Sequence, residues 1–358
     1  KMKTYIKFLT TIFLKSFLYI ILVIFSLVFI INFLAELEFF KNINTSIFLT
    51  IYLALINSPS MIFEIFPFIL LLSTQLFYIK LFTNNEIQIF KYSGLKNSKI
   101  LLIISFISLL LGLIIISFYY NISSSLKNNY LELKSNYTKD GKYLAVINKN
   151  GLWIRDRIND KILIINSSKI DKHFLLNGFI TEFDKDYKVI RNIKSDKIDI
   201  KDYDWKIFSP QIFVQNIREN KDEITIKSNF DYKRIQTLFS NLSSLSLLKL
   251  IELKRNYILI NYSTVEISLQ IHRILSYPIY LVLMTVFSAI IMLNTKKFNN
   301  NTLKISIGIF LCVVIYYLNN IFNVLGKTEK INYIVSVWSP LLILAFIIFL
   351  ITNKVDEK

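Results

Sequence analysis

The stretch from residue 16 to residue 35 reads SFLYIILVIFSLVFIINFLA and contains no charged side chain. A helix of about 20 apolar residues is long enough to cross the hydrocarbon core of a bilayer, which is about 30 Å thick. Further predominantly apolar runs of similar length occupy residues 61–82, 100–120, 274–293, 305–325 and 334–352. The chain of 358 residues, 53% of them hydrophobic, is therefore predicted to cross a membrane six times.

A long polar insert, residues 121–265, separates the first three predicted spans from the last three. Short segments of the insert alternate apolar and polar residues, and this period of two is typical of half-buried strands. The segments are Tyr143–Ile147, Leu152–Arg155, Lys161–Ile165, Phe179–Phe183, Tyr187–Ile193, Trp205–Phe208, Gln211–Val214 and Glu223–Lys227. Turn residues such as Asn159-Asp160 separate them, which predicts an antiparallel sandwich or roll, followed by a helix near Phe239–Lys254.

These patterns predict an α-helical membrane protein with six transmembrane helices, arranged three plus three, and an inserted all-β domain. Residues 1–120 would hold spans one to three, and residues 266–358 would hold spans four to six. Residues 121–265 would form the β-domain and a helical connector. A helix that begins near Thr264 is expected to run directly into span four.

Lysines are distributed unevenly around the predicted spans, within a chain of net charge +17. On the side of both termini they are Lys1, Lys3, Lys7, Lys15, Lys80, Lys91, Lys96, Lys99, Lys296, Lys297, Lys304, Lys354 and Lys358. The opposite short loops carry Lys41, Lys327 and Lys330. Because cytoplasmic loops are enriched in Lys and Arg, both termini are predicted in the cytoplasm and the insert outside. The positive charge is thus attributed to membrane topology and not to nucleic-acid binding.

No pattern of catalytic or metal-ligating residues interrupts this layout. His173 and His272 are the only histidines and Cys312 is the only cysteine, so neither a metal cluster nor an internal disulfide is expected. The segment 326–328, Gly-Lys-Thr, resembles the end of a phosphate-binding loop, but Ile321 stands where the first glycine is required. Acidic residues of the insert, such as Glu182 and Asp184, alternate along a strand and are interpreted as a solvated face. The sequence therefore predicts no catalytic residue, no cofactor and no metal.

The loop between spans two and three contains a short candidate helix at about residues 84–94. Thr83 and Glu86 fit a capping box, in which each side chain accepts a hydrogen bond from a free N–H group. The apolar residues that follow are Ile87, Ile89, Phe90 and Tyr92, and Gly94 is suited to end a helix. Such a segment either presents a surface to a partner at the cytoplasmic face or simply connects two spans.

Other polar residues lie beside or within the spans. Pro59 and Pro67 favour kinks in span two, so residues 47–58 are expected to form an outer segment, with the span itself starting near Met61. Glu64 lies between the two prolines, either at the membrane interface or facing protein or water. In span four, Glu266, Gln270 and Arg273 share one helical face and either line a polar path or face water.

Four segments resemble the LptF/LptG permeases of lipopolysaccharide export, over essentially the whole chain. They are IFPF at 65–68, NEIQIFKYSG at 85–94, HRILSYP at 272–278 and YYLNN at 316–320. The proline of IFPF, Pro67, follows Pro59 by eight residues. The segments GLWIRD at 151–156 and ITEFD at 180–184, with the later Trp205, resemble the G-type β-jellyroll. We therefore favour the G-type over the F-type, which stays the alternative.

The resemblance implies a non-catalytic half-transporter in the bacterial inner membrane, with its central β-jellyroll-like domain in the periplasm. An F-type permease chain, an LptB-like ATPase dimer and an LptC-like protein would be its partners, and lipopolysaccharide would be its substrate. Glu86 matches the glutamate of the family's coupling helix, and the expected ATPase-coupling residues are Glu86, Ile87, Phe90 and Gly94. The expected residues of the substrate path are Lys41, Glu64, Glu266 and Arg273.

One departure from the family concerns the outer end of span one. G-type chains often carry basic residues there, whereas residues 32–39 contain no Lys or Arg. Either Lys41 and Arg273 substitute for them, or the glycolipid carries fewer phosphates. Two rival functions are a membrane-anchored periplasmic binding or assembly protein, which needs no docking helix at 83–94, and a membrane glycosyltransferase, which needs an external catalytic cluster.

Overall fold

The computed structural model describes residues 4–41, 43, 45–137, 152–158, 161–171, 173–214, 217–232, 235, 241–259, 263–293 and 301–352. The chain divides into two compact units, a helical unit of residues 1–127 with 265–358 and a β unit of residues 128–264. Within the described ranges, six helices are long and apolar enough to cross a membrane. The predicted fold class is confirmed: the chain has six membrane-capable helices, with an antiparallel sheet inserted in the sequence between the third and the fourth.

The six spans are longer than the apolar runs that predicted them. They are Thr4–Phe40, Ile47–Thr83, Asn97–Ser135, Val265–Leu293, Asn301–Lys327 and Tyr333–Thr352, and they are called spans one to six. Span three consists of α-helices Asn97–Ile114 and Tyr120–Ser135 around a π-helical turn, Ile115–Tyr119. Hydropathy detects only the lipid-compatible middle of a helix, whereas polar residues at either end continue the same hydrogen-bond ladder.

Span two is one continuous helix from Ile47 to Thr83, although the sequence predicted a separate outer segment before Met61. Ser46 caps its start, because the Ser46 hydroxyl accepts a hydrogen bond from the Phe48 N–H at 3.3 Å. Both Pro59 and Pro67 lie inside the helix. Proline is tolerated within membrane helices when neighbouring groups bond to the backbone that it leaves unpaired.

Spans two and four form the centre of the helical unit. In each, 61% of the most apolar window is buried, compared with 17% in span one and 11% in span five. The apolar side chains of spans one and five therefore face outward, where lipid or another chain has to cover them.

Polar groups join spans two, four and five at one end of the bundle. The Gln75 side-chain amide donates to the Lys304 carbonyl at 3.4 Å, and a Cβ on Gly308 would collide with that amide. The buried Lys304 ammonium donates to the carbonyl of Met292, in the last turn of span four, at 3.4 Å. A cation is favourable there because the carbonyls of a helix C-terminus carry partial negative charge. Lys304 thus links span five to span four.

The β unit contains one antiparallel sheet. Its described strands are β1 (Leu152–Ile158), β2 (Lys161–Asp171), β3 (Phe174–Phe183), β4 (Val189–Asp199), β5 (Asp204–Phe208), β6 (Gln211–Val214), β7 (Ile217–Asn220) and β8 (Glu223–Lys227). The order is β1-β2-β3-β4-β5-β8, with β6 pairing to both β4 and β7. Each predicted segment from Leu152–Arg155 onward overlaps a strand, and β7 was not predicted. The predicted segment Tyr143–Ile147, Gly151 and the turn Asn159-Asp160 lie outside the described residues.

The buried face of the sheet is built around a row of isoleucines. One residue from each of five neighbouring strands pairs with the next in register, and all five side chains are buried. The row consists of Ile154, Ile165, Ile180, Ile193 and Ile212. Because β-branched side chains pack well across a pleated surface, this row supplies the core that the alternating sequence predicted.

The two ends of the sheet order approach each other, because β1 is hydrogen-bonded to the residues that directly follow β8. Asp156 of β1 is only 1% exposed. Its carboxylate accepts hydrogen bonds from the Ser228 hydroxyl at 2.8 Å, the Asn229 N–H at 2.9 Å and the Asn229 side-chain amide at 2.8 Å. Ser228 directly follows β8, so the sheet curls until its ends approach.

Glu182 of β3 does not belong to a solvated face, as the sequence suggested, but is only 3% exposed. Lys161 of β2 lies 2.6 Å from one carboxylate oxygen, and Arg191 of β4 binds the other. Burial would raise the pKa of Glu182, but the Lys161 and Arg191 cations outweigh it and hold that pKa below its usual value. Asp184, by contrast, accepts from the Asp186 and Lys188 N–H groups in an exposed turn. Alternation alone does not show which polar side chains other strands will cover.

Helical structure returns at the end of the insert. A helix spans Leu247–Leu259, which overlaps the predicted segment Phe239–Lys254, although residues 239 and 240 lie outside the described part of the chain. The next helix begins at Val265 and continues into span four, as predicted from Thr264.

Candidate functional site

The short helix between spans two and three, Glu86–Tyr92, begins differently from the predicted capping box. Thr83 is still part of span two, and its hydroxyl donates to the Ile79 carbonyl at 3.0 Å. A capping side chain needs an extended backbone, so Thr83 cannot cap the next helix. Asn85, at φ +55°, occupies the capping position without a side-chain cap bond.

Gly94 ends this helix as the sequence predicted. Its φ of +78° lies in the left-handed region that glycine adopts without steric cost. The Gly94 N–H donates to the Lys91 carbonyl at 3.0 Å, and the Leu95 N–H donates to the Phe90 carbonyl at 2.9 Å. This pair of bonds is a Schellman motif, which closes the helix C-terminus.

The helix Glu86–Tyr92 has one face on the bundle and one face outside. Ile87 is buried in the core of the helical unit, and the Phe90 ring packs edge-on against Phe8 of span one at a centroid distance of 6.1 Å. On the other face, Ile89 is 61% exposed and Tyr92 is 90% exposed. Of the residues expected to couple to the ATPase, Ile87 and Phe90 therefore hold the helix in place, and the outward surface belongs to Ile89 and Tyr92.

Glu86 lies in the first turn of this helix, where partial positive charge favours a carboxylate. One of its oxygens accepts from the Asn84 side-chain amide at 3.3 Å. The other oxygen is buried, and no donor among the described residues reaches it. An unsatisfied buried acceptor costs free energy, so a donor that reached this oxygen would be bound favourably.

Two of the expected substrate-path residues lie close to the same side chain of span four. Glu64 follows Phe63, whose ring stacks on the Tyr277 ring with centroids 4.6 Å apart, and Arg273 lies one turn before Tyr277. Both charged side chains are exposed. Glu266, also exposed, lies two turns before Arg273 on the same helix. Lys41 is exposed just past the end of span one. Glu64 and Arg273 thus both adjoin the contact between Phe63 and Tyr277.

Lys127 of span three was not singled out from the sequence, although it supplies a cation near the C-terminal end of span one. Its ammonium donates to the side-chain oxygen of Asn57 at 2.7 Å, and the Asn57 side-chain NH₂ donates to the side-chain oxygen of Asn32 at 3.2 Å. Asn32 in turn donates to the Ser58 hydroxyl at 3.0 Å. Recognising that the helix continues to Ser135, well past the apolar run that ends at residue 120, would have placed Lys127 here.

A family described as the lipopolysaccharide export system permease LptF/LptG matches residues 7–354 of the chain. No individual curated protein matches. The family match covers both groups of three spans, the short helix between spans two and three, and the β unit. The chain therefore belongs to the LptF/LptG family of lipopolysaccharide export permeases.

Proposed function

We propose that the chain is the G-type permease subunit of an ABC transporter that extracts lipopolysaccharide from the inner membrane and passes it to a periplasmic bridge. Its family makes it a transporter component of lipopolysaccharide export. The observation that carries the finer proposal is the helix Glu86–Tyr92, whose outer face exposes Ile89 and Tyr92. A large exposed apolar and aromatic surface on a short anchored helix is typical of a docking site for another protein.

A separate cytoplasmic ATPase dimer, LptB-like, is the proposed partner at this surface. Ile87 and Phe90 anchor the helix to the bundle, with Phe90 packed on Phe8, so a push on its outer face would be transmitted to span one. Glu86 contributes the carboxylate, and Gly94 ends the helix so that the chain can turn into span three. The Glu86 oxygen without a described donor is the group that a basic side chain of the ATPase would bind.

An F-type permease chain is the second proposed partner. Span five buries only 11% of its most apolar window inside this chain and span one only 17%, so large apolar surfaces are left for a second subunit or for lipid. An LptC-like protein would meet the β unit on the periplasmic side, with both termini of this chain in the cytoplasm. Residues 180–184 and the buried Trp205 support the G-type, and the F-type role in the same machine is the alternative.

The substrate path is proposed to pass Glu64 and Arg273. A charged side chain near the membrane is costly unless it interacts with a polar or charged partner. The exposed Arg273 guanidinium is suited to bind a phosphate through two parallel N–H···O hydrogen bonds. Lys41 and Glu266, both exposed, would border the same external opening. Lys127 adds a cation near span one, where the sequence itself lacks Lys and Arg between residues 32 and 39.

Substitution of Glu86 by lysine tests the docking proposal. When the Glu86→Lys chain is tagged and purified with its natural partners, the amount of ATPase that co-purifies should fall about tenfold or more. Removing one member of a buried charge pair costs about 2–5 kcal/mol. Lipid-stimulated ATP hydrolysis should fall in parallel. Glu38→Lys, an exposed glutamate in the last turn of span one, is the matched control and should leave ATPase recovery unchanged. Unchanged recovery and hydrolysis in Glu86→Lys would refute the docking proposal.

A further inference from the structure

Pro67 creates a specific vacancy in the hydrogen bonds of span two. A helical N–H donates to the carbonyl four residues earlier, and proline has no N–H. The carbonyl left without its helical donor is therefore that of Phe63. Within a bilayer no water is available to such a group, and an unpaired carbonyl there costs free energy.

The missing donor comes from span four. The Tyr277 hydroxyl donates to the Phe63 carbonyl, across 214 residues of sequence. The Tyr277 and Phe63 rings stack with centroids 4.6 Å apart and an interplanar angle of 18°, which fixes the hydroxyl at this carbonyl. We propose that Tyr277 is a positioning residue that replaces the absent N–H of Pro67 and sets the bend of span two.

The vacancy at Phe63 differs from those left by the other helix prolines. Pro59, Pro278 and Pro340 leave the carbonyls of Leu55, Ile274 and Ser336 without their helical donors. Among the described residues, none of these three carbonyls accepts a side-chain hydrogen bond. The bond from Tyr277 is thus a feature of the Pro67 site and not a general consequence of proline.

Neighbouring irregularities lie around the same bond. The π-helical turn Ile115–Tyr119 of span three places the Tyr119 hydroxyl 3.0 Å from the Pro59 carbonyl of span two. Pro278, the residue after Tyr277, approaches span three so closely that a Cβ on Gly112 would lie 2.9 Å from the Pro278 Cα. Prolines and π-turns are the places where helices bend. Spans two, three and four therefore each contain a proline or a π-turn in one region, and two tyrosine hydroxyls bond to backbone carbonyls of span two.

In this arrangement the Tyr277–Phe63 hydrogen bond holds the part of span two before Pro67 at a fixed angle to the part after it. Glu64 follows Phe63 directly, and Arg273 precedes Tyr277 by one turn, so the angle also sets where these two charges stand. That consequence for the substrate path rests on the proposed function. The hydrogen bond and the bend do not depend on the proposed function, and they are tested separately.

A double-mutant cycle tests the hydrogen bond. Tyr277→Phe keeps the ring and removes the hydroxyl, and Pro67→Ala restores the N–H. In the purified full-length chain with its partners, Tyr277→Phe should lower Tm by about 2 °C, the effect of one interhelical hydrogen bond in a membrane protein. The same substitution should have almost no effect in a Pro67→Ala background. An equal fall in both backgrounds would overturn the proposal.

Two controls distinguish the specific Tyr277–Phe63 hydrogen bond from the general effect of losing a hydroxyl or a proline. Pro59→Ala changes the other proline of span two without supplying a donor to Phe63, so Tyr277→Phe should keep its full effect in that background. Tyr19→Phe removes a hydroxyl from an exposed position of span one and should leave Tm unchanged. A Pro59→Ala background that abolished the effect of Tyr277→Phe would also contradict the assignment.

The end-to-end distance of span two measures the bend itself. Spin labels at the exposed positions Phe48 and Thr83, in a chain whose single cysteine, Cys312, is replaced by serine, would lie about 50 Å apart on a straight helix. Tyr277→Phe should broaden the distance distribution, and Pro67→Ala should narrow it at a longer distance, with or without Tyr277. An unchanged width in Tyr277→Phe would show that the hydroxyl does not set the bend. Both experiments can succeed while Glu86→Lys leaves the ATPase bound, so this inference and the docking proposal fail independently.

Discussion

Replacement of Asp156 by alanine should open the β unit at the contact between β1 and the segment after β8. The buried carboxylate accepts from three donors, and alanine removes the acceptor of all three bonds. The Ser228 hydroxyl is buried and would bear a desolvation cost of about 1–3 kcal/mol, whereas both donors of the exposed Asn229 can turn to water at a smaller cost. Together these give an expected loss of about 3 kcal/mol in the free energy of unfolding of the β unit.

Asparagine at this position should be less harmful than alanine. An amide keeps one acceptor oxygen for Ser228 and the Asn229 N–H, and its NH₂ group replaces the acceptor for the Asn229 side chain. The charge-assisted part of the bonds is lost, and the expected cost is about 1–2 kcal/mol. Loss of the carboxylate and loss of the contact are thus distinguished by the order of the two variants.

Fluorescence of the buried Trp205 reports unfolding of the β unit within the full-length chain. The other tryptophans, Trp153 and Trp338, are first replaced by phenylalanine so that only this signal remains. With a urea dependence of about 1–3 kcal/mol per M, Asp156→Ala should shift the midpoint by about 1–3 M. Asp202→Ala, in an exposed bend, is the matched control and should not shift it. A midpoint unchanged in Asp156→Ala, or an asparagine variant as unstable as alanine, would refute the argument.

Two further predictions concern charge. Because the pKa of Glu182 is lowered in the folded state, its ion pairs stabilise the β unit at pH values above 4.5, the ordinary pKa of glutamate, and this stability is lost as pH falls through the lowered pKa. Glu182→Gln should therefore flatten the acid dependence of the free energy of unfolding, measured with urea from pH 7 to pH 3. The same loss of stability at low pH in Glu182→Gln and in the unsubstituted chain would contradict this prediction. Photocrosslinkers at Lys41 and Arg273 should capture glycolipid in living cells, because both side chains are exposed beside the proposed opening; adducts only at positions deeper in spans one and five would show that these charges do not border the path.

Local chemistry in the sequence was enough to predict the architecture. A run such as residues 16–35 has no folded state in water or lipid that is better than a membrane helix, so its presence is decided by its own composition. The alternation in Glu223–Lys227 likewise marks a strand whatever its partners are. Gly94 ends its helix because the left-handed backbone there favours glycine, which is also a property of one residue.

Side chains whose state depends on distant partners could not be placed in this way. Glu182 has the alternation of a solvated residue and is buried because Lys161 and Arg191 arrive from two other strands. Thr83 has the composition of a cap and fails to act as one because span two continues through it. The sequence likewise did not show which residues of the short helix face the bundle, because the burial of Ile87 and the contact of Phe90 with Phe8 depend on how the spans pack.

Span two shows the boundary between the two kinds of information. The sequence by itself determined that Pro67 withholds an N–H and that the Phe63 carbonyl must find another donor, since both follow from the covalent structure of one segment. Only the tertiary structure decided that the donor is Tyr277, 214 residues away on span four. A backbone vacancy is a local property, but the side chain that fills it is selected by how whole helices pack, and packing depends on every contact between them at once.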